Sequence, residues 1–126
     1  MTASAEYVEF VLERLAGLGE VSRSVFFGGA ALKLGSVQFA MIMGDTLYFR
    51  VDDIQRPRYV AAGSEAFSYG TKNGRVEVRS YFSVPSGVFE DDERLLEWAS
   101  LAVQSAGTRA RHGKKATTKT KRSRSR

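Results

Sequence analysis

Few residues in this chain have types and spacing suited to chemistry. Two carboxylate pairs, Asp52-Asp53 and Asp91-Asp92, supply the oxygen ligands that hard cations take and the paired acids that proton-sharing catalysis uses. Both pairs fall where a helix is expected to start, and there carboxylates cap the first turn and complement its dipole. Gly28-Gly29 would let a backbone approach a phosphate, yet no Gly-x-Gly-x-x-Gly or Walker pattern surrounds it. A bulge or a close backbone contact is the expected meaning of such glycines in strand-like sequence. The stretch Gly70-Thr71-Lys72-Asn73-Gly74-Arg75 has the look of an anion loop, but its Asn-Gly separates two alternating segments and reads as a hairpin turn. There is no cysteine, and the single histidine is His112, which excludes disulfides, thiolate metal sites and the usual zinc ligand sets. No Gly-x-Ser-x-Gly elbow is present, and no histidine precedes residue 109 to activate a serine. The expectation is a protein that is not an enzyme and that uses no metal or cofactor.

Charge carries more information. Residues 1–108 hold 10 Lys and Arg against 14 Asp and Glu, a net −4, whereas residues 109–126 hold nine cations and no acid. That terminal segment has no apolar residue larger than alanine, so it cannot bury enough surface to offset its ordering entropy. It is expected to be a disordered basic tail that seeks polyanions, with Arg109, Arg111, Lys114, Lys115, Lys119, Lys121, Arg122, Arg124 and Arg126 as candidate nucleic-acid contacts. The plainer alternative is a solubilising terminus. A second candidate surface is the mixed set Arg56, Arg58, Tyr59, Arg75, Arg79 and Tyr81, in which cations would hold phosphates and rings would stack on bases. Against it stand Glu77 and the net acidity of the body, which favour a salt-bridged, solvated sheet face.

The elements that must position these residues make one domain, residues 1–108, near the usual size of a single core. Tyr7, Val8, Val11, Leu12, Leu15 and Leu18 recur at helical spacing over residues 4–18, with Ser4 as N-cap and Gly17 or Gly19 as stop. Three strands in meander order follow, at about 24–34, 37–43 and 46–51, joined by Gly35-Ser36 and Gly44-Asp45 as glycine-first hairpin loops. In the second, Val37, Phe39, Met41 and Met43 share one face; in the third, Leu47, Phe49 and Val51 alternate with Tyr48 and Arg50. Pro57 and Gly63 bound a short helix. Residues 67–71 and 75–84 form a hairpin, with Val76, Val78, Ser80, Phe82 and Val84 on one face and Arg75, Glu77, Arg79 and Tyr81 on the other. A closing helix over 91–106 turns Leu95, Trp98, Ala99 and Ala102 inward and ends at Gly107. Phe10, Phe26, Phe39, Phe49, Phe67, Phe82 and Trp98 are expected in the core. The result is an α+β fold of two layers, an antiparallel sheet with helices on one face, followed by the disordered basic tail over 109–126. The longest apolar run, Phe39–Met43, is far too short to span a bilayer, and the N-terminus has no secretory pattern, so no membrane role and a cytoplasmic location are expected.

Eight fragments in order also carry a family resemblance: Phe27-Gly28-Gly29, Val37–Ile42, Leu47–Arg50, Arg56-Pro57-Arg58-Tyr59, Gly63, Phe67-Ser68-Tyr69, Tyr81–Pro85 and Leu95–Ala99. Together they resemble the N-terminal domain of the TfoX/Sxy competence regulators over roughly residues 5–106. The motif residues Phe27, Gly28, Gly29, Arg56, Pro57, Tyr59, Tyr69, Tyr81 and Trp98 carry the match without an assigned role. The resemblance implies a two-layer α/β domain without enzymatic chemistry, acting in bacterial gene regulation through a protein partner. Family members are known as positive regulators of natural transformation, thought to help the cyclic-AMP receptor protein at unusual promoter sites. This chain departs from the family pattern at Ser24, where arginine is common, and at Ala30 and Ala31, where tyrosine and glycine commonly follow the glycine pair. It also carries the basic segment where full-length regulators continue into a second, helical domain. Two readings follow: a regulatory adaptor with the tail adding nonspecific nucleic-acid affinity, or a nucleic-acid-binding protein using the tail and a basic sheet face.

Overall fold

The computed structural model describes residues 4–115. Six strands and four helices follow one another as α1 (Ala5–Arg14), β1 (Val21–Phe26), β2 (Gly29–Leu34), β3 (Val37–Met43), β4 (Thr46–Arg50), α2 (Arg56–Ala61), β5 (Ala66–Thr71), β6 (Gly74–Ser83), α3 (Ser86–Phe89) and α4 (Asp92–Lys115). The strands form one open antiparallel sheet in the order β1-β2-β3-β4-β6-β5. All four helices contribute to a single core on one side of it: Val8 and Val11 from α1, Tyr59 from α2, Val88 from α3, and Leu95, Trp98, Ala99, Ala102 and Ala106 from α4. The α+β reading and the placement of helices on one face both hold.

Local chemistry explains the helix ends. The Ser4 hydroxyl accepts a hydrogen bond from the Tyr7 N–H at 3.1 Å and caps α1. Asp52 caps the turn before α2 by accepting from the Gln55 N–H at 2.9 Å, and Gly63, with φ +85°, turns the chain out of that helix. Asp91 accepts from the N–H groups of Glu93 and Arg94, each at 3.1 Å, and so starts α4. Gly107 does not stop α4: the helix continues to Lys115, into the first seven residues of the basic segment. A glycine costs a helix only about 1 kcal/mol, and although a second follows at 113, Ala110 and the cations at 109, 111, 114 and 115 are good helix formers, and positive charge complements a C-terminal dipole. Residues 116–126, with Lys119, Lys121, Arg122, Arg124 and Arg126, lie outside the described residues.

The sheet departs from the expected meander in three ways. First, the segment 24–34 is two strands rather than one. Phe26 pairs with Gly29 across a two-residue loop, and Phe27 and Gly28 both have positive φ, +49° and +83°, the signature of a type I′ hairpin. Phenylalanine is an unusual residue there, which hid the turn; Gly28-Gly29 is thus a reversal and not a bulge. Gly29 does make the close backbone contact expected of it, since a Cβ would overlap the Ile42 carbonyl oxygen and stand 2.7 Å from Met43 Sδ.

Second, β3 changes phase. The register with β2 slips between Leu32 and Lys33, inserting Phe39 as an extra residue, so that Phe39, Ala40 and Ile42 all join the helix-side core. Met41 and Met43 are thereby turned to the opposite face, away from the side predicted by strict alternation. Third, β6 is irregular between Val78 and Phe82, where its partner on β5 advances by only one residue. Phe82 stays in the helix-side core while Val78 joins Tyr81 on the other face. Phe26 on β1 and Phe67 on β5 also pack on the open face and not in the main core, and Phe10 on α1 remains 46% exposed. Helix α3, a single turn after Pro85, has no counterpart in the sequence reading.

Candidate interaction surface

Every helix lies on one side, so among the described residues the other face of the sheet is covered only by its own side chains. Its floor is Met41, Met43 and Tyr81, buried beneath Phe26, Tyr48, Phe67 and Val78. Tyr48 and Phe67 meet edge to face with centroids 5.3 Å apart, and Phe67 continues to Tyr69 at 6.2 Å. Tyr69 is 46% exposed and pairs across the hairpin with Val76.

A polar row crosses four adjacent strands beside this aromatic field. Lys33 on β2 pairs with Gln38 on β3, and Arg50 on β4 pairs with Tyr81 on β6. The Tyr81 hydroxyl accepts from the Gln38 side-chain amide at 3.1 Å and from an Arg50 guanidinium N–H at 3.5 Å, while that guanidinium lies 5.3 Å from the Tyr81 ring centroid. Among the described residues neither Arg50 nor Lys33 has a carboxylate partner. Glu65 acts on the opposite end of the field: burial, and then the Glu65 charge, push the Tyr48 phenol above its ordinary value.

The expected mixed basic and aromatic surface is not assembled. Tyr59 is buried in the helix-side core, its ring 4.8 Å from Trp98 and 6.0 Å from Phe82, and burial drives its phenol far above the ordinary tyrosine range against a smaller opposing effect of Arg58. Arg58 covers Trp98 at 4.4 Å. Arg56 bridges Asp53 at 2.6 Å and donates to the Arg79 carbonyl, so this motif arginine, with Pro57 in the first turn of α2, ties that helix to β6. Arg75 donates to the Ser68 hydroxyl at 2.9 Å, and Arg79 lies 3.8 Å from Glu77. Of the six, Tyr81 alone faces the open side. A shallow groove of ≈ 380 Å³ runs beside α2 between Val60, Glu65, Ser68, Glu77 and Arg79.

The carboxylate pairs have structural partners: Asp52 and Asp91 cap, Asp53 holds Arg56, and Asp92 holds Arg14 at 2.6 Å. Among the described residues no group of His, Asp and Glu is arranged to hold a metal ion, and no helix is long and apolar enough to cross a membrane. Of the candidate tail contacts, Arg109, Arg111, Lys114 and Lys115 belong to the end of α4.

The sequence reading missed Lys33 and Gln38 as surface residues and passed over Tyr48 and Arg50. For Tyr48 and Arg50 the signal was the alternation of β4 itself, with Leu47 and Phe49 facing one way and Tyr48 and Arg50 the other. The outer edge of β1 is a separate feature, because Val25 pairs with Ala30 of the helix-side core and not with the open face. On β1, Val25 is 88% exposed, and Phe27 at the hairpin tip is 84% exposed with its ring 4.7 Å from Phe26.

A family model described as the TfoX N-terminal domain matches residues 13–106. Among curated proteins, no match was found.

Proposed function

The chain belongs to the TfoX N-terminal domain family, and on that premise we propose that it is a non-enzymatic adaptor in bacterial transcriptional regulation of the competence type. It acts through a protein partner in the cytoplasm, and the basic segment 109–126 adds nonspecific nucleic-acid affinity. The observation that carries this reading is the β1 edge, where Val25 and Phe27 are almost fully exposed beside a strand that has no neighbour on its outer side among the described residues. The two-residue loop makes Phe26 and Gly29 a hydrogen-bonded pair, so the N–H and C=O groups of Val21, Arg23 and Val25 point outward. An extended segment of a partner can add a strand there and seat apolar side chains against Val25 and Phe27. The one charge on β1, Arg23, is neutralised by Glu9 at 2.6 Å and does not guard the edge. Both carboxylate pairs are accounted for by capping and ion pairs.

The direct test is binding of the full chain to the cyclic-AMP receptor protein, the partner the family suggests, by isothermal calorimetry. Val25→Asp is expected to weaken the complex at least about tenfold, the scale of losing a buried interface anchor. Exchanging the nine cations of 109–126 for glutamine is expected to leave that complex intact while abolishing duplex DNA binding. No complex with the parent chain, or equal binding by Val25→Asp, would refute the reading.

A further inference from the structure

We infer that the open face of the sheet is a binding site for single-stranded nucleic acid, with bases on Tyr48, Phe67 and Tyr69 and phosphates on Arg50 and Lys33. The inference is independent of the adaptor reading, which rests on the β1 edge. Three observations lead to it. The first is charge. In a body of net −4, two cations, each half-buried, stand on one face with no carboxylate partner among the described residues. Removing a cation partly from water without pairing it is unfavourable, and an anion supplied from outside relieves that cost.

The second is shape. Arg50 is not a loose surface chain: Tyr81, 6% exposed, holds it through its hydroxyl and its ring, and Gln38 fixes that hydroxyl from the other side. A guanidinium fixed in this way keeps donors for a phosphate and loses little freedom on binding it. The third is spacing. Lys33 and Arg50 sit on strands separated by one other, about 10 Å across the sheet, and Tyr48 precedes Arg50 by two residues on the same face, about 7 Å along β4. Across such spans the long Arg50 and Lys33 side chains can hold phosphates of one strand while an unstacked base lies on Tyr48. Sequence-tolerant binding of single strands combines such a cationic track with aromatic platforms. A duplex hides its base faces and gains nothing from the rings, whereas the cations of 109–126 attract both forms alike. An acidic peptide would use Arg50 and Lys33 but leave the exposed Tyr69 ring without a role.

The test uses the full chain, with fluorescence anisotropy of labelled oligo-dT and oligo-rU twelve-mers and of a duplex of equal length at about 150 mM salt. The expected result is a preference for single strands. Tyr69→Ala, at an exposed position, is expected to lower single-strand affinity about tenfold and to leave duplex binding unchanged. The double change Arg50→Gln with Lys33→Gln is expected to do the same and to flatten the salt dependence. Equal loss with oligo-dT and oligo-rU supports a ligand class that includes both; loss with one only supports the site and assigns it to DNA or RNA. Three outcomes would overturn the inference: no single-strand preference in the parent, unchanged binding by both variants, or binding of a Glu-rich peptide, sensitive to the Arg50 and Lys33 change, without oligonucleotide binding. Arg75→Gln, on the other face, is the control for a general loss of charge.

Discussion

Tyr59 shows how a residue recognised as part of a motif can be structural. Its ring is wedged between Phe82 and Trp98, and its phenol ionises only far above the ordinary value because the folded protein would have to bury the charge. In the unfolded chain the same phenol ionises near pH 10. The unfolded state therefore loses its proton first, so the stability contributed by the neutral phenol is intact below about pH 10 and falls as pH rises beyond it. Urea melts across pH 8–11.5 should show this decline, and Tyr59→Phe should reduce it. Gly29 makes a second prediction at this scale. Gly29→Ala would drive a methyl into the Ile42 carbonyl, a backbone atom that cannot swing aside, and should cost about 3 kcal/mol in chemical denaturation. Glycine at that position was read correctly as a close contact; Gly28 was not, because Phe27 in a left-handed conformation disguises the turn.

At the scale of elements, the amphipathic stripes of α1 and α4 were legible, the single turn of α3 and the end of α4 were not, and the phases of β3 and β6 were misread. Helical stripes such as Val8, Val11 and Leu15, or Leu95, Trp98 and Ala102, rest on a period that nothing interrupts, and the caps at Ser4 and Asp91 are local hydrogen bonds that sequence alone can place. Replacing the Asp91 carboxylate tests this directly: Asp91→Ala should cost roughly 1 kcal/mol and lower Tm by about 5 °C in calorimetry. A strand has period two, so one inserted residue sends everything beyond it to the opposite face. The extra residue Phe39 does this to Met41 and Met43, and the irregularity after Val78 does it to Tyr81. Each depends on the register of a neighbouring strand, which is absent from the local pattern. The open face was consequently misread where β3 and β6 cross it, while its β4 residues, on an uninterrupted strand, were readable.

At the scale of the whole molecule, the asymmetry of the two layers matters more than any one motif. With all helices on one side, one six-stranded face and the outer edges of β1 and β5 carry no other described element, and α4, which packs across β3 and β4, runs on into the first seven residues of the basic segment. Strand order has a further consequence. The four-strand meander and the β5–β6 hairpin are each built from neighbours in sequence, and the ladder between them is short: three residue pairs, Tyr48 with Ser83, Phe49 with Phe82 and Arg50 with Tyr81, flanked by hydrogen bonds from the Val51 N–H to the Ser80 carbonyl and from the Val84 N–H to the Leu47 carbonyl. A ladder this short is expected to be the first place where local opening separates the hairpin from the meander. In native-state hydrogen exchange, amides of β5 and β6 should open together at a lower free energy than those of β2 and β3, so that the hairpin carrying Tyr69 visits a detached state while the meander stays folded.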